Sequence, residues 1–322
     1  MTPAVFLLQE RKMELSLLLA EQITALFLMG IVGFVVVKTG ILRPDDSQVL
    51  SKVCVYVCCP CMTIKAFQIE CTPDKVKGLL LAVAAVIVLH VVYISGTRLL
   101  KKPLGFNSIE SASIIYSNAG NLIIPLVLAI FGEEWVFYTS AYTSVQMVLM
   151  WSHGKALVCS TEKFTIKKIL YNINMIAIAV GVVFFAANIH LPEIAGTVLG
   201  GLGTMIGPLS MLVIGMLIGD VDLLWVFRQK RVYLICFFRL IVCPVVTILL
   251  IRILGVAALH PDAHQILLIV VLAGASSVAA TITQMAQVFG GDAKYASVIN
   301  VMSVIFCVIT MPLMVLLYES LI

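Results

Sequence analysis

Apolar stretches, each about the 20 residues that a helix needs to cross a bilayer, follow one another along this chain with short polar connections between them. The pattern predicts ten spans: 17–38, 46–68, 77–98, 110–131 and 135–157, then 169–189, 195–218, 231–255, 264–289 and 294–318. No segment reads as a soluble domain. The charged run Ser160-Thr161-Glu162-Lys163-Phe164-Thr165-Ile166-Lys167-Lys168 lies near the midpoint and leaves five spans on each side. With an odd number per half, the halves, if related, must be inverted in the membrane. The expected fold is an all-α integral membrane protein of ten transmembrane helices in two inverted five-helix repeats, 1–159 and 160–322.

The fourth span is damaged where a membrane helix should be intact. It carries Asn118-Ala119-Gly120-Asn121-Leu122-Ile123-Ile124-Pro125 inside an otherwise apolar run. Pro125 withholds the hydrogen bond that the Asn121 carbonyl would accept, and Gly120 makes the backbone easy to unwind. In lipid, such a break survives only where it is buried in protein or lines a cavity. Two carboxamides at one depth, beside bare backbone, form the layout of a transporter binding site. The ninth span is also polar in its middle, from Gly274 through Ser276, Ser277, Thr281 and Thr283 to Gln284, and Pro60 and Pro208 occupy comparable places in the second and seventh spans.

The Asn118-x-Gly120-Asn121-Leu122-x-x-Pro125 pattern resembles the fourth-helix crossover of the auxin efflux carrier family. Two further stretches agree: Pro208-Leu209 with Ile214-Gly215 resembles the family's seventh helix, and Ala286 to Asp292, followed by Met311-Pro312-Leu313, resembles its ninth and tenth. The resemblance runs from about Leu17 to Tyr318, and the chain is similar to the compact bacterial members because it lacks the long central loop of the plant exporters. It implies that broken helices four and nine cross. It also implies that helices three to five and eight to ten move against a scaffold of one, two, six and seven. Gln146, beside Tyr142, Thr143 and Ser144, matches a position where the family often has a polar residue facing the site. This chain departs from the family at Ser277, where a proline is usual, and at Asn174-Met175, where Asn-Pro is expected.

Composition narrows the class without changing it. Sixty-one per cent of residues are hydrophobic and twelve per cent charged, far from the balance of a soluble domain. The basic excess is small and sits in the connections, so no nucleic acid is expected as a partner. Fourteen Lys and Arg lie on the odd-numbered connections, against six on the even-numbered ones and the termini. The positive-inside rule then places both termini outside, and the expected location is the plasma membrane. Arg11 and Lys12 argue the other way, and both disappear if translation starts at Met13. With no small-residue cleavage site, the first apolar run is read as a retained helix.

The expected substrate site is Asn118, Asn121, Gln146, Ser277 and Gln284, with Gly120 and Pro125 making the break. Membrane Asn, Gln and Ser also serve as glue between helices, which is the alternative for each. Arg239, inside the eighth span, is costly unless paired or facing water; it would hold a counter-charge, support the transport unit or snorkel to the cytoplasmic face. His90, in the middle of the third span, is the protonatable group at midplane depth, and otherwise a neutral hydrogen-bonder. Cys58 and Cys61 have C-x-x-C spacing, but Pro60 falls between them in an apolar helix and no second pair matches, so no metal is expected.

No phosphate-cradling loop points to ATP, and no cofactor is expected beyond coupling to a proton or sodium gradient. An intramembrane enzyme would need paired Asp residues or an HExxH run, and neither is present. Half-helix N-termini at the breaks carry partial positive charge and favour an anion. Together with the family resemblance, this predicts a secondary carrier of a small organic anion such as a carboxylate. The alternative is a sodium-coupled symporter of the bile-acid type, with Ser276, Ser277, Thr281, Gln284 and the Asn pair supplying oxygens. Expected partners are the anion, the lipid bilayer and a second copy of the chain.

Overall fold

A computed structural model describes residues 21, 24–25, 28–158, 171, 173–219, 222–288 and 291–322. The start of the first span, with Arg11, Lys12 and Met13, and the Ser160–Lys168 connection lie outside the described residues, as do the side chains of Asn121, Pro125 and Gln284. The described chain is helical almost throughout. In order come α1 (Leu28–Lys38), α2 (Pro44–Ala66), α3 (Pro73–Leu104), α4 (Ser108–Ile115), α5 (Ile124–Phe131) and α6 (Glu133–Leu149, carried on by turns to Val158). Then follow α7 (Ile173–Ala186), α8 (Glu193–Gly219), α9 (Leu223–Arg228), α10 (Lys230–Leu254), α11 (Ala263–Ala275), α12 (Ala280–Val288) and α13 (Ala293–Leu321). Five of them, α2, α3, α8, α10 and α13, are long and apolar enough to cross a membrane; α1, α7 and α11 are shorter apolar helices.

Local chemistry sets the ends. Thr72 caps α3 by accepting from the Lys75 N–H at 3.3 Å, Pro73 fills its first position, and Gly105 ends it in the left-handed region at φ +64°. Two residues on, Asn107 and Glu110 form a reciprocal capping box that starts α4. Proline shapes the interiors. Pro60, Pro125 and Pro244 each follow a π turn that closes two residues earlier, over Cys54–Cys58, Ala119–Ile123 and Phe238–Val242. A wider turn absorbs the lost donor and the ring's clash with the carbonyl four residues back.

Close packing holds the helices together. A Cβ on Gly215 of α8 would collide with the Gly30 carbonyl of α1, so those two backbones touch as only small residues allow. Glu110, buried at the start of α4, accepts from Arg231 Nε at 2.8 Å and Nη2 at 3.0 Å and from the Tyr295 hydroxyl at 2.8 Å. One carboxylate thus ties together the starts of α4, α10 and α13. The buried core runs around α11 and the middle of α13, and α8 packs its second half onto the π turn Ala119–Ile123.

Candidate functional site

Between α4 and α5 the chain leaves helical geometry at Tyr116, which is extended at φ −100° and ψ 127°, and returns after Asn118. The break therefore opens just upstream of Gly120. Gly120 itself sits in the π turn, and Pro125 follows that turn into α5. Between α11 and α12 the chain opens in the same way, with Ser276 extended at φ −70° and ψ 162°. No proline is needed there: the Ser276 hydroxyl bonds back to the Ala273 carbonyl at 3.0 Å and competes with the helix at its last turn.

These two openings cross and pair. Ser117 and Val278 form an antiparallel bridge, in which the Asn118 N–H donates to Ser277 O at 2.8 Å and the Ala279 N–H donates to Tyr116 O at 3.1 Å. That leaves the outward-facing backbone groups of Ser117 and Val278, and in a membrane interior each must find a partner. Gln146 of α6 serves Ser117: its Oε1 accepts the Ser117 N–H at 2.9 Å and its Nε2 donates to Ser117 O at 2.8 Å. On the other strand, Ser303 Oγ of α13 accepts the Val278 N–H at 3.0 Å and Asn300 Nδ2 donates to Val278 O at 2.9 Å. Each bridge residue is thus braced by the helix that follows its own broken span. Sequence reasoning does not single out Ser117, Asn300 or Ser303; two polar residues at i and i+3 inside the apolar α13 are the signal that points to them.

Arg239 lies on the side of the crossing where α4 and α11 end. It is completely buried, so it does not snorkel. Its Nε donates to Ser276 O at 3.1 Å, Nη1 to Ile114 O at 3.1 Å and Ile115 O at 3.4 Å, and Nη2 to Gly274 O at 2.6 Å and Ala273 O at 3.5 Å. A single guanidinium caps the C-terminal carbonyls of both half-helices. The π turn at Phe238–Val242 brings it there.

The opposite side carries the N-terminal ends, starting at Asn118 and Ala280. Asn118 is 4 % exposed and its Nδ2 has no hydrogen-bond partner among the described residues; the Ser277 hydroxyl, fully buried, has none among them either. A buried donor without a partner is costly, and these two are among eight such buried side-chain atoms on the described residues. Of the expected site residues, the structure brings Asn118, Ser277, Gln146, Arg239 and His90 to the crossing. His90 faces the rings of Tyr93, Tyr116 and Tyr142 at centroid distances of 6.2, 6.4 and 5.4 Å. Its Nδ1 lies 2.9 Å from the Val86 carbonyl, which can only accept, so the proton sits on Nδ1; the buried Nε2 has no partner within hydrogen-bond distance among the described residues. Among the described residues no group of His, Cys, Asp and Glu could hold a metal.

A comparison with the curated proteins found no match. A family model described as "Membrane transport protein" matches residues 18–163 and 155–315, nearly the whole chain. Taken with the apolar helices and the crossing of two broken ones, the match makes this chain a member of that membrane transporter family, the family of the auxin efflux carriers.

Proposed function

We propose that the protein is a secondary carrier that binds a small organic anion at the crossing and moves it across the plasma membrane by alternating access. The observation that carries this reading is a pair of buried polar atoms without a partner among the described residues, Asn118 Nδ2 at the start of one half-helix and Ser277 Oγ in the extended link that leads into the other. Those ends bring partial positive charge and spare N–H groups to one spot, which suits a carboxylate. The crossing is buried on the described side chains, as expected of a state closed to both faces.

In this reading ten spans form two inverted five-helix repeats. The matched bracing of Ser117 from α6 and of Val278 from α13 supports related halves. Spans three to five and eight to ten move as the transport unit. They share the crossing, Arg239 and the Glu110 clamp. Spans one, two, six and seven form the scaffold, and the tight α1–α8 contact supports it. Both termini face outward, a second copy of the chain is a partner, and His90 is the group available for coupling to protons.

A thermal-shift screen of the purified protein against organic acids, with and without sodium, tests the reading. A ligand that binds only the folded state raises its melting temperature with the logarithm of its excess over Kd. At least one carboxylate is expected to do so, and to lose that effect when Asn118 is replaced by Ala. A flat response to every acid would remove the crossing as an anion site.

A further inference from the structure

The carbonyl oxygens that close α4 and α11 make a cation site that the chain has already filled. Five of them, from Ile114, Ile115, Ala273, Gly274 and Ser276, face one guanidinium. A cluster of backbone carbonyls is what an alkali cation accepts in place of its water shell. The two helix ends add to this, because each C-terminus carries about −0.5 of a charge and together they present about −1. Arg239 supplies the matching charge. Among the described residues no carboxylate forms an ion pair with Arg239, so the helix ends alone balance it.

We propose that Arg239 is the built-in counter-cation of the crossing. It holds permanently the position that a coupling sodium ion would occupy, and the carrier takes its anion there without a metal cation. The inference rests on the crossing being the transport site. It also sharpens the substrate class. With the negative ends already satisfied, the two N-terminal ends carry about +1 between them, which one singly charged anion balances. Arginine suits the position better than lysine, because its planar fork reaches both helix ends at once and is more weakly hydrated.

The test is a melting experiment with no anion present. Purified Arg239→Ala is titrated with millimolar sodium, potassium or methylguanidinium chloride, with choline chloride holding ionic strength constant. The variant is expected to melt lower than wild type and to recover by several degrees, saturably, with methylguanidinium, while wild type does not respond. A variant that none of the three cations moves would overturn the proposal. So would a wild-type protein that sodium stabilises over choline. Where Arg239→Ala gives no folded protein, Arg239→Lys replaces it: the charge is kept, and the variant is expected to fold and ignore sodium, whereas a sodium response overturns the proposal. Because no anion enters, a failure here leaves the anion reading standing, and a failed acid screen leaves this result unaffected.

Discussion

Gln146 closes a ring of two hydrogen bonds on the backbone of Ser117, accepting its N–H at 2.9 Å and donating to its carbonyl at 2.8 Å. A side chain is thus imitating the neighbouring strand that a membrane interior cannot offer. The consequence is a division of labour among residues that look alike in sequence. Gln146 holds the crossing in shape, whereas Asn118 leaves its amide nitrogen open.

Gln146→Leu removes both of these bonds, and with them the one that the Ser117 hydroxyl donates to Oε1 at 2.7 Å, stranding a buried N–H and a buried carbonyl. Each unsatisfied group costs about 1–3 kcal/mol. The unliganded melting temperature is therefore expected to fall clearly, and any loss of affinity should follow from that. A variant that melts like wild type but no longer binds would return Gln146 to the substrate itself.

Glu110 offers a second stability test, away from the crossing. Its carboxylate is buried and paired to Arg231, whose side chain is 38 % exposed. Breaking a buried pair costs about 3–5 kcal/mol, and the exposed partner puts this one at or below the lower end of that range. Glu110→Gln should lower the melting temperature while leaving Kd for any anion found in the screen within about twofold. A tenfold change in Kd at unchanged stability would contradict a purely structural clamp.

Orientation is open to a direct measurement. Lys102 and Leu259 are both exposed, at opposite ends of the bundle if the loop charges orient it as the positive-inside rule requires. In a background without the nine native cysteines, an impermeant thiol reagent added outside should label Leu259→Cys and spare Lys102→Cys. The reverse pattern would invert the protein and move both termini to the cytoplasm.

Charge matching sets an order among ligands. If the N-terminal ends offer about +1 in all, a monocarboxylate should stabilise more than a dicarboxylate of the same chain length, because the second charge would be buried without a partner. The screen checks this with matched pairs such as butyrate and succinate. Stronger stabilisation by the dicarboxylate would require another cation in the site.

Much of the helical layout is legible from apolar run lengths alone. The span expected at 231–255 appears as Lys230–Leu254, and the one expected at 294–318 as Ala293–Leu321. The break near Asn118 is legible too, because Gly120 and Pro125 announce it. What sequence cannot deliver is the partnering. The five carbonyls around Arg239 come from residues at least 34 positions away, and only the crossing gathers them. For the same reason Arg239 looks like a charge in search of a carboxylate, when its partners are the backbone carbonyls of two helix ends. The second break is announced more quietly. The polar middle of the ninth span, from Gly274 to Gln284, marks it, and a serine hydroxyl at Ser276 does there what a proline would do.

Asn118 separates binding from packing most cleanly. Its Nδ2 has no partner among the described residues, so Asn118→Ala removes little from the unliganded state; removing an unpaired buried donor can even stabilise it. Where that nitrogen meets a carboxylate, the lost bond is to a charged group and contributes about 1.5–3 kcal/mol, a weakening of roughly ten- to a hundredfold. The expected result is therefore an unliganded melting temperature within a degree or two of wild type, together with a steep loss of affinity. Gln146→Leu should show the opposite balance, and measuring both variants side by side controls for general damage to the crossing. If Asn118→Ala melts lower and binds normally, its amide is glue between helices. The anion would then have to sit against the Ser277 hydroxyl and the start of α12 instead.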